Sequence, residues 1–254
     1  MGILENYFEQ IEDARRYYKQ AEKLYHDEQN NLGQANVLFL MSDLEHTLGQ
    51  LEKAKSYCIQ AEKLYLGECD KQGLANTLCL MGSVERKLGQ VKDALRCYEQ
   101  AEKLYLTEQP SLGQANLLFE IGNLKRELGL VKAAQEYYAQ AEVLYNNEQF
   151  TLGQANILFC RGDIERRQKN YRHAIDLFEN ALLLYDNELM PLGKSYSMGE
   201  LCRVYARIGD KNKALQWIEK TRNFFEQMPE HVRPYVAGCI KEAMELLGID
   251  TNEA

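Results

Sequence analysis

The chain has 254 residues, 45% of them hydrophobic and 27% charged, and a formal net charge of −8. That composition is globular rather than disordered, the acidity weighs against a nucleic-acid binder, and no run of about 18 apolar residues offers a membrane span. The seven cysteines (Cys58, Cys69, Cys79, Cys97, Cys160, Cys202, Cys239) are odd in number and form no CxxC pair, which argues for a reducing, cytoplasmic setting over a disulfide framework or a zinc site.

In chain order, the spacing predicts a first helix over about residues 4–27. It carries Leu4, Tyr7, Phe8, Ile11, Tyr17 and Tyr18 and has no clean polar outer face. The opening MGILENYFEQIEDARR has acids early and lacks a signal-peptide core. Five helix pairs follow across about 32–226. In the first pair one helix runs over about 33–48, with the apolar stripe Ala35, Leu38, Met41 and Leu48. Gly49 stops it, as Gly89, Gly129 and Gly209 do later. The fourth pair has Lys169-Asn170 there, and Asn170 is the expected left-handed residue. The second helix runs over about 51–66, and a loop containing Glu68 and Gly73 leads onward. A closing helix is expected over 232–247, with Pro234 at its start. Its stripe is Val236, Ile240, Ala243 and Leu247, and its outer face is Lys241, Glu242 and Glu245.

The pairs are copies of one another. Gly33, Gly73, Gly113, Gly153 and Gly193 recur at a spacing of 40 (73 − 33). Two alanine columns, starting at Ala14 and Ala21, and a tyrosine column, Tyr25 to Tyr185, keep the same step. Gly82, Gly122 and Gly162 lie mid-way along first helices, with alanines twelve and nineteen residues on, as in Ala94 and Ala101. With Tyr98, Tyr138 and Phe178 in the second helices, this pattern resembles the tetratricopeptide repeat. It is similar to the long-repeat branch found in Pins/LGN adaptors and kinesin light chains. The resemblance implies an all-α, TPR-like α-solenoid, a single domain over 1–254 of antiparallel helix pairs winding into a right-handed superhelix. The usual period near 34 is exceeded here. Glu45, Glu85, Lys125 and Glu165 stand where the family often has an aromatic residue, and only Tyr205 keeps it.

The resemblance further implies that the first helices line a concave groove. Independently, those helices carry a second stripe: Asn36, Phe39, Asp43, His46; Asn76, Cys79, Ser83, Arg86; Asn116, Phe119, Asn123, Arg126; Asn156, Phe159, Asp163, Arg166. A carboxamide both donates and accepts, so Asn36, Asn76, Asn116 and Asn156 could hold the backbone of an extended peptide. Phe39, Phe119 and Phe159 offer apolar pockets. Arg86, Arg126 and Arg166 would suit carboxylates, hence an acidic peptide. The competing reading is structural. The asparagines could satisfy groups of a neighbouring unit, and the arginines could pair with acids such as Glu85 and Glu165. The column Glu28, Glu68, Glu108, Glu148 and Glu188 reads as a helix-start or inter-repeat contact. The tyrosine column reads as core.

Nothing suggests catalysis, a metal or a cofactor. His26, His46, His173 and His231 fall in unrelated parts of the repeat, with no HExxH, phosphate-cradling loop or nucleophile elbow. The expected function is a scaffold or adaptor that binds a peptide or helical segment in its groove, without nucleic acid or membrane. The alternatives are a ligand- or peptide-sensing regulatory module and self-association through the first helix.

Overall fold

A computed structural model describes residues 2–106, 111–187, 190–225, 227–228 and 230–249, with side chains from residue 11 onward. The expectations for Leu4, Tyr7 and Phe8 therefore lie outside the described side chains, and those for Glu108 and Glu188 outside the described residues. The described residues form twelve α-helices and no strand. They are α1 (Gly2–Asp27), α2 (Asn31–Thr47), α3 (Leu51–Gly67), α4 (Lys71–Lys87), α5 (Val91–Tyr105), α6 (Leu112–Glu127), α7 (Val131–Asn147), α8 (Thr151–Arg167), α9 (Tyr171–Asn187), α10 (Pro191–Arg207), α11 (Lys211–Phe225) and α12 (Arg233–Leu246). A single 3-10 turn, Glu230–Val232, precedes α12. The chain divides into two compact units, Met1–Leu144 and Tyr145–Ala254.

In the first unit α2 packs on α3 and α4 on α5, while α4 also touches α2 and α6. In the second unit α8 packs on α9, and α10 packs on α9, α11 and α12. The alanines of the second helices, among them Ala54, Ala94 and Ala101 in one unit and Ala174, Ala181 and Ala214 in the other, have no solvent exposure. Small side chains there let the helix axes close up. Three hairpins are then pinned by one ring each. A Cβ built on Gly82 would stand 2.4 Å from Tyr98 Cε1, one on Gly122 2.6 Å from Tyr138 Cε1, and one on Gly162 2.7 Å from Phe178 Cε1. No methyl group fits at such distances, so glycine is required by the ring and not by the backbone. In α2 the position is Ser42, whose hydroxyl donates to the Ala54 carbonyl at 2.8 Å.

The glycine column of period 40 is differently placed from the sequence expectation. Gly73 is the third residue of α4, not part of a loop. A Cβ there would meet Tyr65 Cε1 at 2.3 Å, and Gly33 stands in the same way against Tyr25. The helix can begin before the glycine because a capping side chain starts it. Asn30 Oδ1 accepts from the Gly33 amide at 2.8 Å, and Asp70 Oδ1 accepts from that of Gly73 at 3.0 Å. Glu68 lies at a helix end rather than a helix start. It follows α3, and its Oε1 accepts from Asn31 Nδ2 at 2.9 Å at the start of α2, so the contact closes one helix pair and does not join two repeats.

Helix ends repeat one backbone device. Gln50 N–H reaches the Glu45 carbonyl at 2.8 Å, with Gly49 between them at φ +74. In the fourth pair the left-handed residue is Lys169, at φ 66, and not Asn170. Asn170 instead precedes α9 and donates to Glu165 Oε2 at 2.8 Å. A side chain in the left-handed region costs about 1–2 kcal/mol. Lys169→Gly is therefore expected to raise the stability of the second unit by about 1 kcal/mol, measured by urea unfolding.

Candidate functional site

The second stripe of the first helices is where the sequence placed a ligand. Every asparagine of the column that has a described partner is held by a tyrosine. Tyr65 Oη donates to Asn36 Oδ1 at 2.6 Å, Tyr105 to Asn76 at 2.5 Å, and Tyr185 to Asn156 at 2.7 Å. The tyrosine column is thus core by its ring and polar by its tip: the ring lies under the next glycine while the hydroxyl reaches back to its own hairpin's asparagine. Sequence reasoning missed this pairing, although both columns share one period and stand 29 residues apart. The expected donor-and-acceptor ladder must be corrected. The Oδ1 of Asn36, Asn76 and Asn156 already accepts from a tyrosine of the chain itself, which leaves the Nδ2 donors as the part a ligand could use. Asn36 and Asn116 are exposed, and Asn76 and Asn156 are half-buried.

The phenylalanines are less free than a pocket wall would be. Phe39 packs on the cluster of Ala35, Leu38, Ala61 and Tyr65. Phe119 stacks 5.8 Å from Tyr138, and Phe159 lies 5.4 Å from Phe178 and 6.1 Å from Tyr196. All three remain half-buried.

The arginines are ion-paired. Arg86 donates to Glu120 at 2.9 Å and bonds Glu127, with only 9% of its side chain exposed. Burial by itself would lower the Arg86 guanidinium, but Glu120 and Glu127 raise it. Burial likewise pushes the Glu120 carboxyl up, and Arg86, His46 and Lys87 bring it below the ordinary range. Arg126 Nε donates to Tyr138 Oη at 3.3 Å, and that hydroxyl donates to Asn123 Oδ1 at 2.8 Å. Arg166 pairs with Asp163 at 2.5 Å and with the fully buried Glu200 at 2.9 Å. The acids expected as partners are engaged elsewhere. Glu85 pairs with Lys55 at 2.8 Å, and Glu165 faces His173 Nδ1 at 3.6 Å.

Between α2, α4 and α6 the face opens into a cavity of about 170 Å³. His46 Nε2 lies 3.2 Å from Ser83 Oγ within it. Burial, with Lys87 and Arg86 adding to it, pushes the imidazole down to about 4, so His46 is neutral at neutral pH. Asp43 keeps one edge in solvent, yet the walls desolvate it enough to raise its carboxyl above the usual range, against the pull of Lys87. Among the described residues, the cavity included, no group of three or more His, Cys, Asp or Glu could hold a metal ion. No described helix is long and apolar enough to cross a membrane.

One family model matches, that of the Tetratricopeptide repeat, over residues 33–107, 73–147 and 153–227. Comparison with curated proteins returns no significant match. Among solved structures, BtubC (BKLC) from P. vanneervenii is similar with a TM-score of 0.63 and 20% identity, covering 91% of this chain and 93% of that one. A Rap protein complexed with Competence and Sporulation Factor gives a TM-score of 0.72 at 14% identity. It covers 86% of this chain, which spans only 65% of that one. A kinesin light chain with nearly identical TPR-like repeats from Podosopora anserina gives 0.50 at 16%, covering 74% and 93%. These likenesses are of fold.

Proposed function

We propose, from the premise that the chain belongs to the tetratricopeptide repeat family, that it is a binding scaffold whose first helices hold an extended peptide or helical segment without catalysing a reaction. The observation that carries this reading is the pinned asparagine. A tyrosine hydroxyl fixes Oδ1 of Asn36, Asn76 and Asn156, so each amide presents its two N–H donors in one orientation. A preoriented donor loses little entropy when a peptide carbonyl meets it. The repeat of 40 residues then sets such donors on α2 and α4 of the first unit and on α8 of the second. The Rap protein of similar fold is seen with a bound factor, which supports the regulatory variant of this reading, where the peptide is a signal. The preference for an acidic peptide has weaker support, because Arg86 and Arg166 already hold carboxylates of the chain itself. The free cysteines, buried except for Cys69, suit a reducing, cytoplasmic setting. Self-association through α1 draws on the exposure of Tyr17 and Leu24.

The test separates the amide from its support. With Asn36, Asn76, Asn116 and Asn156 all changed to alanine, peptides selected on the wild-type chain are expected to lose binding by more than about tenfold, or 1.4 kcal/mol. With Tyr65, Tyr105 and Tyr185 changed to phenylalanine, the amides remain and binding is expected to fall far less. Each lost hydroxyl bond should still cost about 1 kcal/mol of stability. Equal binding by the alanine variant, with native circular dichroism, would make the asparagines purely structural.

A further inference from the structure

The cavity between α2, α4 and α6 lies where α4 and α2 depart from α6 and α8 at adjacent columns. Where α2, α6 and α8 have Phe39, Phe119 and Phe159, α4 has Cys79, and α10 of the second unit has Gly199. Where Asp43, Asn123 and Asp163 stand, α4 has Ser83. In the column of Arg86, Arg126 and Arg166, the neighbouring α2 has His46. Each exchange removes volume or charge, and together they leave about 170 Å³ unfilled. A water takes roughly 30 Å³ in the liquid, so the space can hold a side chain.

The lining has a definite polarity. Its buried end is Cys79, with Phe39 and Leu80 half-buried beside it. Its open edge carries Asp43 and Asn116, and Glu120 stands further in. The lining thus bears two carboxylates, Asp43 and Glu120, and no cation. Glu120 is satisfied by Arg86. Asp43 accepts no hydrogen bond and makes no ion pair among the described residues, and the charge that acts on it is that of Lys87, outside the lining. His46, held neutral by its burial, supplies no counter-charge. A carboxylate at an open edge, with no hydrogen bond or ion pair among the described residues and an apolar slot beside it, suits a cation on an aliphatic stem.

We propose that this cavity receives an arginine or lysine side chain of the bound peptide, its stem against Phe39, Leu80 and Cys79 and its cationic head at the Asp43 carboxylate. The proposal rests on the peptide-binding reading and adds a chemical preference at one point of it, opposite in sign to the acidic peptide expected from the arginine column.

The experiment is a selection of short random peptides on the full chain, followed by affinity measurements on two variants. Cys79→Phe restores the ring that Phe119 and Phe159 carry in register. Asp43→Asn keeps the shape of an exposed residue and removes its charge. The expected result is enrichment of peptides with arginine or lysine at one shared position, and at least tenfold weaker binding to each variant. Changing that basic residue to alanine should weaken binding to the wild type alone. Peptides that lack a shared basic residue, or that bind both variants as well as the wild type, would overturn the cavity proposal and leave peptide binding intact. Failure to enrich any peptide would overturn both. Native circular dichroism of Asp43→Asn keeps the comparison valid should Cys79→Phe fold poorly.

Discussion

Replacing Tyr98 by alanine is expected to destabilise the first unit by about 3–5 kcal/mol, the range for deleting a buried aromatic side chain. Its ring is 1% exposed and belongs to the cluster that joins α4, α5 and α6. The sharper expectation concerns Gly82 on the facing helix. A Cβ there would sit 2.4 Å from Tyr98 Cε1 and 2.6 Å from Cδ1, and a buried ring has nowhere to retreat. Gly82→Ala should therefore cost about 1–3 kcal/mol by overpacking, in spite of the better helix propensity of alanine. In the Tyr98→Ala background the obstacle is gone. The same Gly82→Ala change should then stabilise the protein by up to about 1 kcal/mol, the propensity gain alone. A double-mutant cycle in urea, followed by helical circular dichroism, reads this reversal of sign. If Gly82→Ala has the same effect in both backgrounds, the glycine is not there for the ring.

The second large effect is on pH dependence. His46 titrates at about 4 in the folded chain, below its ordinary 6.5, because burial and the cations Lys87 and Arg86 oppose its charge. Between those values the unfolded chain binds the proton and the folded chain does not. The stability linked to neutral His46 is therefore fully present above pH 6.5. It is lost as pH falls toward about 4, by on the order of 3 kcal/mol across the window. Asp43, raised above its ordinary value, acts in the opposite direction, gaining relative stability as it protonates. The comparison that isolates the histidine is wild type against His46→Gln, unfolded in urea at steps of pH. The stability of the wild type relative to the variant should fall between pH 6.5 and 4. A constant difference would show that the imidazole is solvated in the folded chain.

These expectations mark how far the residues could be read without coordinates. Helix boundaries follow glycine, asparagine and apolar spacing closely. Gly49 and Gly89 end helices because backbone bonding at a helix end needs a left-handed residue, which is a local requirement. Gly73 and Gly82 look alike in sequence and do another job. They are cut to size by tyrosine rings 8 and 16 residues away in the chain, and only packing brings those rings to them. The asparagine column was visible as a column, but its partner was not. A tyrosine 29 residues on reaches Asn36 only after α2 and α3 fold back on each other.

The candidate site divides in the same way. The departure of Cys79, Ser83 and His46 from their columns can be read directly from the aligned repeats. That the departures converge on one hollow, with Asp43 at its edge unpaired among the described residues, depends on α2, α4 and α6 standing side by side. The arginines show the limit most plainly. Arg86 and Arg166 seemed open to a ligand because their carboxylate partners, Glu120 with Glu127 and Glu200, belong to the next first helix, 34 to 41 residues on for Arg86. Periodicity by itself determined the family, the helices and the face each helix turns to its neighbours, since these follow from local propensity and the spacing of small and apolar residues. Which polar groups on that face are already satisfied was decided by tertiary structure alone, because a charge is neutralised by what lies within a few ångströms, whatever its distance along the chain.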